Sequence, residues 1–417
     1  MTQKQLQRLK VIENAVEGKL TVVEASVLLG ISPRQVKRYK ARFDARVHDW
    51  VLHGNDGREA HNRFPDGVVE QIATLATGKY KGFNDSHLWE KLTKVEKLTV
   101  SRETVRSLLR SRGIRSPQKR RPRKYRTRRE RKAQFGMMAL ADASRHDWLE
   151  QRGPVLTLMG FMDDATSQVL AVCFQTGPED TAGYFATLRT MVEIHGVPCS
   201  LYRDQHGTFQ RNDPYWTVQE QLAGRQAPTH LGRVMEELGI TQIAALSPQA
   251  KGRIERLWRT FQDRLTSELR LAGASNLDQA NTILAQFVRD HNTRFSLPAR
   301  EREIAFRRLD RGVDLNRLFS LRYTRIVAND HTVPFGSRTI QLPAIAGGRG
   351  YAGKTVDLCH QPNGDLLVYL GDVLLHQTQV LDSGEAVRTR NIQRSAKKKK
   401  QPRIYSFAGR AAIAVRP

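Results

Sequence analysis

The sequence predicts a multidomain chain, with N-terminal all-α helix-turn-helix modules, a central α/β core built on a mixed sheet, and a small C-terminal β-barrel. Three observations carry that prediction. Helix-capping punctuation recurs before residue 115, strand-like and helix-like runs interleave between 134 and 300, and six short strand-like runs separated by Asn, Asp and Gly turns follow residue 322. A length of 417 residues suggests roughly three domains, and 39% hydrophobic residues suffice to give each a packed core.

The first module spans 1–46. Thr21-Val22-Val23-Glu24 has the form of a capping box opening a helix to residue 29. Gly30 permits a tight turn, and Ser32-Pro33 starts a second helix over 33–43. That second helix carries Arg34, Gln35, Lys37 and Arg38, residue types that read base edges and phosphates in a major groove. A plain basic helical hairpin is the alternative. The second module, 61–115, has helices at 65–77, around 88–92, and from Ser101 to near Gly113. Val100, Val105, Leu108 and Leu109 form its expected core, leaving Arg102, Arg106 and Arg110 outward in a winged or homeodomain-like arrangement. A purely structural role is the competing assignment. The segment 116–133 then holds ten basic residues in the fourteen from Lys119 to Lys132, too charged to bury, and is read as a linker lying along DNA.

The core, 134–300, opens with a strand ending near Asp142. An apolar partner at 155–162, the turn Asp163-Asp164-Ala165-Thr166-Ser167 and a third strand at 169–174 complete a meander. A helix over 178–195, a short strand ending at Asp204, a helix, a strand at 240–246 and a helix from Lys251 to about residue 271 follow. This is the element order of an RNase H-like fold. Asp142 and Asp204 fall at strand ends, where open α/β sheets place their sites. Glu255 flanks the apolar face formed by Ile254, Leu257, Trp258, Phe261 and Leu265. Each acid has a plainer explanation, such as an Asx turn for Asp204 and a solvated Lys251–Glu255–Arg259 ladder for the helix.

The strings Asp142-Ala-Ser-Arg-His-Asp-Trp-Leu-Glu-Gln-Arg-Gly-Pro154, Asp163-Asp-Ala-Thr-Ser167, Tyr202-Arg-Asp-Gln-His206 and Ser247-Pro-Gln-Ala-Lys-Gly-Arg-Ile-Glu-Arg256 resemble, in this order, the DDE transposase and retroviral-integrase superfamily, and within it the ISNCY-type insertion-sequence transposases. The resemblance spans roughly residues 6–340. It implies that Asp142, Asp204 and Glu255 are the catalytic triad and hold two Mg²⁺ ions about 3.5–4 Å apart, with Mn²⁺ as a substitute, for phosphodiester cleavage and strand transfer. Lys251, Arg253, Arg256 and Arg259 would then hold the DNA backbone. The partners implied are double-stranded DNA, as element terminal repeats and target, and further copies of the chain on that DNA. Two features depart from the family pattern: the stretch 210–228 lengthens the gap between Asp204 and Glu255, and residues 137–141 are unusually small and apolar. A catalytically inactive, repressor-like DNA-binding protein derived from a transposase is the competing class, and an RNase H-like nuclease of other specificity is a second. Asp147, Asp163, Asp164 and His206 receive no role, and Asp163 reads best as a turn residue.

After the core, a helix over 276–295 presents Leu277, Ala280, Ile283, Leu284, Phe287 and Val288 as a buttress, and 300–311 is a charged connector. Strands at 324–327, 332–335, 338–342, 355–358, 366–369 and 373–376 suggest an SH3-like barrel over 322–380. The tail, 381–417, is a basic extension that includes Lys397–Lys400. The net charge of +26 points to a polyanionic partner. Cys173, Cys199 and Cys359 are too dispersed for a disulfide framework or zinc cluster, and no apolar run approaches the ~20 residues of a membrane span, so a soluble protein of the bacterial cytoplasm, associated with the nucleoid, is expected. If six linker charges neutralise phosphates, the logarithm of duplex affinity should fall against the logarithm of salt concentration with a slope of about −5 from this segment. Deleting the segment and repeating the salt titration should flatten the slope by that amount.

Overall fold

Local capping chemistry builds the N-terminal helices as expected. In the computed structural model, which describes residues 3–43, 48–51, 64–117, 129–245, 251–344 and 350–380, helix α1 (Gln3–Val16) precedes α2 (Val22–Leu29) and α3 (Pro33–Arg42). Thr21 caps α2 through a reciprocal box: its backbone N–H donates to Glu24 at 2.8 Å, and the Glu24 N–H donates to its hydroxyl at 3.2 Å. Gly30 ends α2 in the left-handed region, at φ 62°, where a side chain would be strained. Ser32 caps α3 and Pro33 occupies its first turn. Helix α1 was not singled out from sequence. It buries Ile12 and Ala15 in one cluster with Ala25 and Val36. The chain divides into two compact units, Met1–Thr74 and Leu75–Pro417, and helix α4 (Asp66–Thr77) crosses the division. The linker stretch 118–128, residues 246–250, the expected Gly347-Gly348 turn and the tail 381–417 lie outside the described residues.

The second unit continues with α5 (Asp85–Lys94) and α6 (Arg102–Ser111), then the core elements β1 (Ala139–His146), β2 (Leu156–Asp163), β3 (Val169–Thr176), α7 (Thr181–His195), β4 (Ser200–Arg203), α8 (Val218–Ala223), α9 (His230–Glu237), β5 (Thr241–Ala244), α10 (Gly252–Leu271) and α11 (Leu277–Phe295). The sheet order is β3-β2-β1-β4-β5. The meander pairs antiparallel, whereas β1–β4 and β4–β5 pair parallel, giving the expected mixed sheet. Alternation along β1 sorts its side chains onto two faces. Ala139 and Ala141 join a core with Met159, Phe161, Tyr184, Phe185 and Leu188 beneath α7 and α9. Met138 and Leu140 join Leu158, Trp258, Phe261, Leu284 and Phe287 beneath α10 and α11. The small residues before Asp142 are therefore close-packing residues under α7.

Helix α5 is fastened to α10 by charge. Glu90 accepts both guanidinium nitrogens of the buried Arg264, at 2.8 and 3.0 Å, and is also bonded by Arg294. Glu268 accepts from Lys91 at 2.8 Å and lies 2.7 Å from the imidazole of buried His87. Asn84 donates to Asp263. The half-buried Glu90 carboxyl stays below the usual carboxylate range: burial pushes it up, but the bonds and charges of Arg264 and Arg294 outweigh that push.

Beyond α11, the charged connector returns to the core, with Ala305 and Arg307 bonded to Phe135 and Val197. After α12 (Leu315–Leu318) come β6 (Leu321–Ile326), β7 (Thr332–Phe335), β8 (Arg338–Gln341), β9 (Thr355–His360), β10 (Asp365–Leu370) and β11 (Val373–Gln379), one for each strand expected. Their ladders form a four-stranded sheet, β11-β10-β9-β6, and a separate β7–β8 hairpin around one core that includes Tyr323, Val333, Phe335, Leu358 and Val368.

Replacing Glu90 by Ala strands the Arg264 guanidinium without its carboxylate. Removing one partner of a buried pair costs about 3–5 kcal/mol, so the Glu90→Ala chain should unfold at clearly lower urea, whereas Glu103→Ala, on an exposed pair, should shift the midpoint negligibly.

Candidate active site

Two strands bring Asp142 and Asp204 side by side. The parallel register aligns Ala139 with Leu201 and Leu140 with Tyr202; Asp142 lies two residues further along β1, and Asp204 one residue past the end of β4. Neighbouring strands lie about 4.8 Å apart, so the two carboxylates must share one counter-charge or repel. Lys251, at the N-cap of α10, supplies it. Its ammonium donates to Asp142 Oδ1 at 2.8 Å and to Asp204 Oδ2 at 3.2 Å. The indole N–H of Trp258 donates to the second Asp142 oxygen at 3.0 Å. Burial pushes the Asp142 carboxyl above the usual carboxylate range and Asp204 adds to that push, against the opposing pull of Lys251 and Trp258. Asp204 also accepts the His206 backbone N–H at 3.0 Å, so the Asx-turn role coexists with the shared cation.

Gly160 makes this arrangement possible. It pairs with Asp142 across β1–β2, and a Cβ there would stand 2.3 Å from Val172 Cγ1 and 3.1 Å from the Trp258 ring. Any side chain at this position would push against the indole that holds Asp142.

The third predicted acid is not gathered in. Glu255 is exposed in the first turn of α10, and among the described residues no three His, Cys, Asp or Glu side chains come together closely enough to hold a metal ion. The helix explains why: Ile254, Leu257 and Trp258 turn to the core, leaving Glu255 at the solvent margin. At 100° per residue, Lys251, Glu255 and Trp258 nevertheless fall within a sector of roughly 60°, so Glu255 flanks the side of α10 that meets Asp142. The donor set suits a hard divalent cation, since oxygens from two strands already converge on one positive centre.

Two residues expected on DNA phosphate are engaged inside the protein. Lys251 is buried between the acids, and Arg253 is held by Asp164 and by the Arg129 carbonyl. Arg256 and Arg259 remain exposed on the outer face of α10. Asp163 and Asp164, left without roles from sequence, are both fully buried and form a clamp. Asp163 accepts the Gly136 N–H, the Thr166 N–H and the Thr166 hydroxyl at 2.7–3.0 Å, a turn role, and Asp164 ties residues 129–132 to the start of α10.

The structure adds a residue that sequence reasoning missed. Glu179, just before α7, lies 3.0 Å from His206 Nδ1 and accepts from Tyr184 at 3.2 Å. Burial pushes its carboxyl up, with Asp204 and Asp142 adding to the effect and His206 opposing it. Nothing in the local sequence marks Glu179 apart from its place beside the helix cap Asp180; only the fold brings it to Asp204. In the candidate DNA-reading helices, Arg34, Lys37 and Arg38 of α3 and Arg102 and Arg106 of α6 are exposed, Gln35 is half-buried, and Arg110 is bound to Asp85.

Comparison with known proteins finds the protein named transposase y4bF of Sinorhizobium fredii, 33% identical over 366 residues, 84% of this chain and 78% of that one. The transposase for insertion sequence IS1202 of Streptococcus pneumoniae is 27% identical over 432 aligned positions, covering 95% of this chain and 90% of that one. No family model matches. Among solved structures, the catalytic core of BIV integrase aligns at 17% identity over 38% of this chain and 85% of its own, with a TM-score of 0.25.

Lys251→Ala should destabilise the protein in metal-free buffer by about 2–3 kcal/mol, less than for a fully buried pair because Asp204 is 42% exposed. Millimolar Mg²⁺ should recover part of the loss. Equal urea midpoints for variant and parent would show that the ammonium does not hold the acids together.

Proposed function

The chain belongs to the transposases, and from that membership we propose that it is a DNA transposase of the DDE and retroviral-integrase type, which binds the ends of its insertion sequence and performs Mg²⁺-dependent strand cleavage and strand transfer. The observation that carries the chemistry is the convergence of Asp142, in β1, and Asp204, just past the end of the neighbouring parallel strand β4, upon the Lys251 ammonium. Asp142, Asp204 and Glu255 are the residues that would hold the metal. When bound, Mg²⁺ as a pair of ions supplies activation of the attacking oxygen and stabilisation of the leaving one, with Mn²⁺ as a substitute.

The side chains supply position and charge. Trp258 holds one oxygen of Asp142, leaving the other to meet the Lys251 ammonium. Lys251, once released from the acids, carries its ammonium into the same space, where an anionic phosphodiester oxygen replaces the carboxylates as its partner. Arg256 and Arg259 lie outward on the same helix and hold the DNA backbone beside it. In-line attack of water on phosphorus breaks the bond to the 3′ oxygen and leaves a 3′-hydroxyl and a 5′-phosphate; in the second step that hydroxyl attacks a target phosphorus, forming a new 3′ ester bond while the target's own 3′ oxygen leaves and takes up a proton. Arg34, Gln35, Lys37 and Arg38 of α3, with Arg102 and Arg106 of α6, are proposed to grip the terminal repeats. The C-terminal sheet and hairpin are proposed to act as an SH3-like accessory that contacts DNA or a second protomer, because joining two ends calls for more than one copy.

One observation favours the inactive, repressor-like alternative: Glu255 stands apart while Lys251 satisfies the two aspartates. A labelled element-end duplex incubated with Mg²⁺ separates the two. Wild type should release a 3′-hydroxyl and join it to target, and Glu255→Gln should bind equally but do neither. Tight binding with no Mg²⁺-dependent cleavage by wild type would sink the transposase proposal and leave the DNA-binder.

A further inference from the structure

Between Asp204 and α9 the chain makes an excursion, 210–228, whose inside and outside are built differently. Inside is a closed polar frame. Arg211 donates to Glu220 at 2.6 Å, to both oxygens of Asp213, and to the Tyr215 carbonyl at 2.8 Å. Glu220, only 6% exposed, accepts the backbone N–H groups of Thr217 and Ala227, each at 2.8 Å. Gln226 closes the frame onto the Asp213 and Tyr215 carbonyls. Those backbone donors hold the Glu220 carboxyl far below its ordinary 4.5, at about 2, so the frame is fully braced above pH 4.5 and loses that support as pH falls toward 2.

The outside is apolar. Tyr215 is 79% exposed, Trp216 41%, Val218 71% and Leu222 84%. Scattered exposed apolar side chains need no explanation, but four within one eight-residue stretch, presented by a braced loop that cannot fold them inward, mark a binding surface. Its root is tied to the candidate active site: Arg203 donates to Gln210 and Asn212 to the Gln205 carbonyl, both at 2.7 Å, on either side of Asp204. Tyr215 follows Asn212 by three residues.

We propose that Tyr215 and Trp216 form a stacking platform for unpaired nucleobases of the DNA strand that passes Asp204. The location rests on the transposase proposal; the binding property does not. Aromatic faces accept any base, and the strand attached to that base is drawn by the chain's positive charge, with Arg225 exposed three residues beyond Leu222. A second protein is the weaker occupant, since a stable protein interface draws on about 20–30 residues a side and this patch comes from one short stretch.

The test uses the full chain in metal-free buffer with two fluorescein-labelled probes of equal length, a fully paired duplex and a forked duplex with an unpaired thymidine arm. Wild type should prefer the fork roughly tenfold or more. Tyr215→Ala/Trp216→Ala should lose that preference and keep its affinity for the paired duplex. Absence of fork preference in wild type, or its survival in the double variant, overturns the platform. So does a double variant that keeps the preference but sediments as a smaller species, because the patch then joins copies. Because no cleavage is read, failure of the catalytic proposal shows itself separately, in the Mg²⁺ assay.

Discussion

Two like charges sharing one ammonium are the constraint around which the core is arranged. Asp142 lies within β1 and Asp204 one residue past the end of β4, and most of what surrounds them answers that proximity. Lys251 stands between them, Trp258 donates to the oxygen that Lys251 leaves free, and Gly160 gives up a side chain so that the indole can reach. The start of α10 is thereby drawn toward the two aspartates. Asp164 draws it from the other side through Arg253, and Asp163 holds the turn from which Asp164 projects. Helix α10 is thus positioned by charge at its beginning and by Phe261, Leu265 and Leu269 along its length.

The same logic governs the far end of α10. Glu90 and Glu268 put carboxylates into a seam between α5 and α10 that Arg264, Arg294, Lys91 and His87 fill. A purely apolar seam would be non-directional; charged pairs of this kind admit few alternative registers, because a slip leaves a buried guanidinium or carboxylate unpaired.

Much of this was legible from sequence wherever the signal is local. The Thr21–Glu24 box, Gly30, Ser32-Pro33 and the Asp163–Thr166 turn depend on residues a few positions apart, and each is realised in its expected form. The strands leading to Asp142 and Asp204 were readable from their residues, but β1 runs on to His146, because residues 143–146 keep pairing with β2. What was not readable depends on partners far along the chain. Nothing near Lys251 shows that its ammonium meets an aspartate 109 residues away, nor near Arg253 that it meets Asp164, nor near Glu179 that it approaches His206. Basic residues on an exposed-looking helix were therefore assigned to phosphate when two of them answer carboxylates of the protein itself. Helix α1 was passed over for a related reason: few of its side chains are buried, and its apolar contacts are with helices that follow it.

Helix α10 is 20 residues long, about 30 Å of stiff rod, with the aspartates near one end and the α5 seam along the other half. Helix α6 packs on α5 and shows Arg102 and Arg106 to solvent. One uninterrupted helix therefore joins the ion-paired seam beneath α6 to the ammonium shared by the two aspartates, as a spacer of fixed length.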